Sequence, residues 1–338
     1  MSLPRRLSPR NACVSESQRD VVPPVSGPTR GIVERRLRPG NVNMEPRRAG
    51  PCRLLKRSQS VSSLLLRLHA LLTVPLALWI LMDSQTVHPA YRMGRVRRLV
   101  LALRMMRNAR RIPTATSFKA HLVMAMKLLE MSPELIGDVI ECGTWKGGSA
   151  ANLSLVCRIV GRKLLISDSF TGLPIGDPAD REAKHYRQGD YAGSLAEVKQ
   201  NLRRFGAIEV CEFIEGLFQE TLPKVKRPIV LGFLDVDLEA SLSTCVRHIW
   251  RNLVEGGYVF TDECVGTDYV ALFFSERWWS ENFGSPPPGL IGAGTGLPLG
   301  DFYVGPFREL PSHPLQRPST AGYTYKGMSG HWTYYEAT

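Results

Sequence analysis

The sequence predicts an α/β protein built on a doubly wound, mostly parallel sheet of seven strands. Three observations lead there. From Phe118 onward, short apolar runs alternate with amphipathic stretches of helical period, and glycines punctuate most of the junctions. Strands that alternate with crossover helices pair in parallel and are covered by helices on both faces. Acidic residues collect where the predicted strands end, which is where such a sheet binds ligands.

The N-terminal part reads differently. Residues 1–60 hold eight prolines, 13 Lys and Arg and 4 Asp and Glu, with no sustained apolar period. Such a segment buries too little surface to offset its ordering entropy, so it reads as a disordered basic leader. Leu64–Met82 is a 19-residue apolar run, just long enough to cross a ~30 Å hydrocarbon core at about 1.5 Å per residue. Arg67, His69 and Pro75 lie inside it and both flanks are basic. Those features favour an in-plane or partner-bound helix over a true anchor. Arg95–Arg111 is a basic helix with Val96, Leu99, Val100, Leu103 and Met106 on one stripe. A membrane-surface helix and a helix packed on the body fit it equally. Residues 61–111 are thus the expected place for peripheral membrane or partner contact.

The main domain is expected over 112–305. FKAHLVMAMKLLEM reads as a helix closed by Ser132-Pro133, and DVIECG (138–143) as strand one. SAANLSLVCRIVG (149–161) is a helix ending at Gly161, and LLISDS (164–169) is strand two. After a loop over 170–193, SLAEVKQNLRRFG (194–206) is a helix. EVCEFIEG (209–216) and PIVLGFLDVD (228–237) are strands three and four. SLSTCVRHIWRNL (241–253) is a helix and YVFTDE (258–263) is strand five. A helix near 268–283 and strands around 289–294 and 301–305 complete the seven. Residues 306–338, rich in aromatics, Gly and Pro, form a C-terminal extension with no assigned element.

Charge and cysteine content narrow the function classes. The net charge of +12 is unevenly spread: residues 1–111 hold 22 Lys and Arg against 5 Asp and Glu, and residues 112–338 hold 21 against 26. The body is mildly acidic, so no nucleic-acid partner is expected. Seven cysteines, scattered and without CxxC spacing, read as reduced thiols of a cytoplasmic protein, possible membrane association aside, and not as a disulfide framework or zinc site.

The chemistry is expected at the strand ends. Strand one runs into Glu141-Cys142-Gly143-Thr144-Trp145-Lys146-Gly147-Gly148-Ser149, whose glycines let the backbone turn tightly beneath a ligand. This turn lacks the GK[ST] of a phosphate loop and departs from GxGxxG. Asp168, at the end of strand two, is placed to accept from both hydroxyls of a ribose. Asp235 and Asp237 at the end of strand four should share one strand face, and Asp262 and Glu263 at the end of strand five should lie ~5 Å away. Converging carboxylates need a cation, a proton or a base partner, and hard oxygen donors suit Mg²⁺ or Mn²⁺.

The runs VIECGTWKGGSA, SDSFTGLP, FIEGLFQETLP, FLDVDLEASL and EGGYVFTDE together resemble the macrocin O-methyltransferase family of class I, Rossmann-like methyltransferases, over about residues 115–305. The resemblance implies S-adenosylmethionine as methyl donor, a divalent metal, and a hydroxyl of a sugar or glycosylated natural product as acceptor. It implies that Glu141, Gly143 and Gly147 hold the methionine part of the cofactor and Asp168 its ribose. Gly216 and Phe218 would border the adenine, and Thr144 and Ser169 complete the cofactor set. Asp237, Asp262 and Glu263 fall on the family's metal positions, with Asp235 beside them. Glu263 stands where the family has Asp, and Glu239 where it has Tyr. His185, in the loop after strand two, is the nominated base, with Asp235 as the other candidate. Tyr186 and Tyr191 share the His185 loop as a possible aromatic lid. The rival readings are a nicotinamide-dependent reductase, disfavoured by the glycine pattern and by the lack of a YxxxK pair, and a non-catalytic module of the same fold.

Overall fold

A computed structural model describes residues 87–116, 118–177, 179, 183–262, 271–290 and 321–327. The elements that place the site are α1 (Arg95–Arg111), α2 (Phe118–Glu130), β1 (Asp138–Cys142), α3 (Gly148–Val160) and β2 (Leu164–Asp168). They continue with α4 (Leu195–Phe205), β3 (Cys211–Glu215), the short α5 (Phe218–Thr221), β4 (Ile229–Leu234) and α6 (Glu239–Asn252). The last are β5 (Leu253–Thr261), α7 (Glu276–Phe283) and β6 (Gly322–Tyr325).

The strands form one sheet in the order β3-β2-β1-β4-β5-β6. From β1 the chain winds outward through β2 to β3, then crosses back to lay β4 and β5 on the other side. All of these pairs are parallel. The winding direction reverses between β1 and β4, and the carboxyl ends of those two strands flank the crevice that results.

Burial explains the apolar runs. Every residue of β4 is buried, as are Val139 to Cys142 of β1, because helices cover both faces of a parallel sheet. Successive side chains alternate between two cores. Val139, Leu164 and Ile166 pack with α1 to α4, whereas Ile140 and Leu165 pack with α6 and α7. The first core includes Leu101, Ala102 and Met105 of α1 and Leu122, Met124 and Leu128 of α2. Complete burial of a Leu or Met side chain contributes about 1.5–3 kcal/mol, so α1 is held firmly on the body.

Several expectations change. The sheet has six strands among the described residues, not seven. Its edge strand β6 runs antiparallel to β5 and comes from the C-terminal extension. Gly289 and Leu290, where a sixth strand was expected to begin, are not in a strand. The rest of that segment, the predicted strand at 301–305, the leader and the Leu64–Met82 run all lie outside the described residues. Both α1 and β6 carry the packed body beyond 112–305. β4 ends at Leu234, so Asp235 and Asp237 do not alternate along a strand. Among the described residues, no helix is long and apolar enough to cross a membrane.

Candidate active site

The turn after β1 is built against its neighbours by backbone hydrogen bonds. Gly143 N–H donates to the Ser167 carbonyl at 3.0 Å, and Asp235 N–H donates to the Cys142 carbonyl at 2.9 Å. Gly143 has φ +80°, and a Cβ there would overlap the Asp235 carbonyl oxygen. The position is therefore restricted to glycine by conformation and by space. Gly147, also left-handed at φ 81°, precedes the first residue of α3. A Cβ on it would stand 3.1 Å from Val198 of α4, so this glycine serves helix packing and does not line the cleft.

Glu141 lies beneath the turn with no exposed surface. Its carboxyl group is hydrogen bonded with the Ser149 hydroxyl and, at 3.2 Å, with that of Thr144. Burial pushes its pKa up to about 8, against the opposing pull of those two hydroxyls. Glu141 does not itself border the cleft; it is hydrogen bonded to Thr144 and Ser149, which do.

Asp168 ends β2. Its Oδ2 accepts from Thr144 N–H at 2.7 Å and its Oδ1 from Phe170 N–H at 2.7 Å. Burial raises its pKa, and the amides of Thr144, Phe170, Trp145 and Ser169 act in the lowering direction. Each oxygen retains a further acceptor direction for a ligand hydroxyl.

These groups border a cleft of about 800 Å³, counting its open mouth. Gly143, Thr144, Asp168 and Ser169 form one wall, and Gly216 and Phe218 lie beyond β3. Asp235 and Asp237, after the end of β4, line the cleft as well and make its acidic wall. Eight of the thirteen residues nominated from sequence thus border one cleft.

The acidic wall has a centre that motif reading did not reveal. Thr116, between α1 and α2, is buried. Its hydroxyl stands 2.9 Å from Oδ2 of Asp235 and 3.0 Å from Oδ2 of Asp262. One hydroxyl has one proton, so it serves only one of those two oxygens at a time. Asp237 sits in the left-handed region at φ 56°, which Asp tolerates better than most residues. Burial and the neighbouring Asp262 push its pKa up to about 6, while a hydrogen bond from Tyr186 acts in the lowering direction.

The loop after β2 supplies Tyr186 but not the nominated histidine. His185 closes a short 3₁₀ turn, is exposed, and does not border the cleft. The Tyr186 and Tyr191 rings meet edge to face at 6.2 Å between centroids, and Tyr191 meets Trp145 at 5.4 Å. Tyr191 and Trp145 both line the cleft. Among the described residues, no three His, Cys, Asp or Glu side chains are grouped as a metal set. Of the expected ligands, Glu263 lies outside the described residues.

An open, mostly parallel sheet whose crevice joins a glycine turn, Asp168 and an acidic wall is a Rossmann-like α/β arrangement. Residues 121–280, a little under half of the chain, match the sequence model of the Macrocin-O-methyltransferase (TylF) family. A curated relative from Streptomyces olivaceus, 8-demethyl-8-(2,3-dimethoxy-alpha-L-rhamnosyl)-tetracenomycin-C 4'-O-methyltransferase, is 30% identical. The match covers 43% of this chain and spans 62% of that relative's length. The solved O-methyltransferase NovP is 22% identical with a TM-score of 0.48, covering 63% of this chain and 83% of that one. The calicheamicin methyltransferase CalS11 is 18% identical with a TM-score of 0.43, covering 68% and 93%.

Proposed function

We propose that the chain is an S-adenosylmethionine-dependent O-methyltransferase acting on a hydroxyl of a sugar in a glycosylated natural product. The observation that carries this reading is the division of the cleft. Its cofactor side consists of the turn at Gly143 and Thr144, with Asp168; its acceptor side consists of Asp235, Asp237 and the nearby Asp262. The rhamnosyl acceptor in the name of the Streptomyces olivaceus relative supports a sugar hydroxyl.

S-adenosylmethionine supplies an electrophilic methyl group when bound. Asp168 accepts from its ribose, the 143–148 turn receives its methionine part, and Gly216 and Phe218 flank its adenine. Across the cleft, the acceptor hydroxyl must be aligned and must lose its proton as the new O–C bond forms and the S–C bond breaks. Alignment of this kind is worth ~7–11 kcal/mol in favourable cases. Asp235 is the base in this reading: it lines the cleft, and Thr116 holds one of its oxygens. His185, exposed outside the cleft lining, is not retained in that role.

A divalent cation is the finer part of the proposal. Asp237 and Asp262 raise one another's cost of ionisation, and Asp235 joins Asp262 through Thr116. Hard oxygen donors so placed suit Mg²⁺ or Mn²⁺, with Glu263 as the next residue along the chain. Bound there, the ion would acidify a coordinated acceptor hydroxyl.

The test is calorimetric titration of the full chain with S-adenosylmethionine and, separately, with NAD(H), followed by transfer of labelled methyl to a panel of glycosylated acceptors. Saturable binding of the first ligand and label on a sugar oxygen are expected. Binding of NAD(H) alone would overturn the reading.

A further inference from the structure

The outer face of α1 is neither absorbed by the site nor explained by packing. The helix buries Leu101, Ala102 and Met105, and on the opposite side leaves Val96 76%, Val100 58% and Leu103 43% exposed. Those three recur at i, i+4 and i+7, one above another on a single face. A shallow groove continues the patch onto α3, where Leu155, Ile159 and Arg158 border it.

Charge surrounds the patch. The α1 sequence contains seven arginines and no acidic residue. Arg95, Arg97, Arg104, Arg107, Arg110 and Arg111 are exposed, while Arg98 is buried. Arg204 of α4 joins Arg104, Arg107 and Arg111 around a second depression. Glu209, paired with Arg158 at 3.2 Å, is the acid beside the patch that the contacts record.

We propose that this face docks on an anionic lipid surface. The chemistry of the patch selects that occupant. Aliphatic side chains at the centre of the face enter the boundary between headgroups and acyl chains, and the surrounding arginines meet lipid phosphates. A second copy of the chain would bring arginine against arginine. Nucleic acid would match the arginines but leave three aliphatic side chains without an apolar partner. The apolar Leu64–Met82 segment would match the aliphatic stripe and leave the arginines unexplained. That segment also lies shortly before α1 in the chain, so an apolar run and a basic helix with exposed aliphatic residues follow one another in sequence.

The experiment measures co-sedimentation of the full chain with large vesicles of phosphatidylcholine, with and without about one-third phosphatidylglycerol. The readout is the ratio of the two partition coefficients, which cancels any contribution that is purely apolar. The expected ratio is well above one and falls with salt. Replacing Arg97, Arg104 and Arg107 by Gln should lower it by about fivefold per residue. Replacing Val96, Val100 and Leu103 by Ser should lower binding to anionic vesicles severalfold. These side chains are exposed, so the melting temperature should hold; single Arg104→Gln and Val100→Ser variants provide the same reading if a triple variant melts early. A ratio of one, a ratio unchanged by the arginine variants, or retention by duplex DNA without vesicle binding would each overturn the proposal.

Discussion

The carboxylate of Asp168 and the amide of Thr144 are joined by a 2.7 Å hydrogen bond that ties the end of β2 to the turn after β1. The same carboxylate is thus a structural clip and the expected ribose acceptor. Asp168→Asn keeps one acceptor oxygen and removes the charge. It should weaken S-adenosylmethionine binding by ~1–3 kcal/mol, the range for hydrogen bonds to a charged group. Asp168→Ala should in addition lower the melting temperature, because Thr144 and Phe170 lose their acceptor. Calorimetry on the folded Asn variant is the check, and unchanged affinity would remove Asp168 from the site.

Glu141 gives a pH prediction with a definite sign. Burial raises its pKa to about 8 in the folded chain, above the ordinary carboxyl value of the unfolded one. Between those two values the folded state binds the extra proton, so this contribution to stability is complete below the unfolded pKa and is lost as pH rises through about 8. Glu141→Gln mimics the protonated form. The stability of the wild type relative to the Gln variant should fall steadily from mildly acidic pH to about pH 8 and level off above it. Denaturant melts of both proteins across that range would show this widening difference or its absence.

The acidic wall makes a prediction about turnover. Thr116→Val preserves shape and removes the hydroxyl shared by Asp235 and Asp262, so methyl transfer should drop at least tenfold with S-adenosylmethionine affinity retained. Asp262→Asn should behave alike. Turnover should also be lost in chelator and restored by Mg²⁺ or Mn²⁺. Full turnover by metal-stripped protein would assign these carboxylates to proton transfer without a cation.

At Gly143 the expected effect is on folding. An added Cβ would meet a backbone oxygen, which has no rotamer to escape through, and the φ of +80° is strained for any other residue. Gly143→Ala should cost several kcal/mol, on the order of the largest single-residue effects. A shifted denaturant midpoint at unchanged slope would register it.

Much of this architecture is legible in the sequence because the parallel strands are buried on both faces. Ile229–Leu234 has no polar interruption, and it becomes a strand with no exposed residue. The Gly143 turn and Asp168 were legible for a related reason: strand ends in such a sheet are where ligands go. Other features depend on long-range packing. The stripe Val96–Val100–Leu103 is visible as a period, yet periodicity cannot say that the body takes Leu101 and Met105 from the other side. The alternation assumed for Asp235 and Asp237 fails because the strand stops at Leu234 and Asp237 turns left-handed. Thr116 belongs to no motif, and it reaches two carboxylates more than a hundred residues away. In the loop after β2, sequence offered His185 and Tyr186 as neighbours, and only the fold tells which of them faces Asp237. β6 was missed because GYTY lies in a stretch with no period of its own.

The origin of β6 has a consequence for how the protein is made. Tyr323 stacks on Phe260 at 5.0 Å between ring centroids, and Tyr325 packs on Tyr258 at 5.7 Å, so the strand that covers β5 is synthesised some sixty residues after it. During translation the parallel strands can assemble while β5 still presents a bare, aromatic-lined rim. Such a rim invites pairing with another nascent chain. Truncation ahead of Gly322 would make that transient exposure permanent, and the damage would appear as aggregation during expression even with every residue of the cleft present.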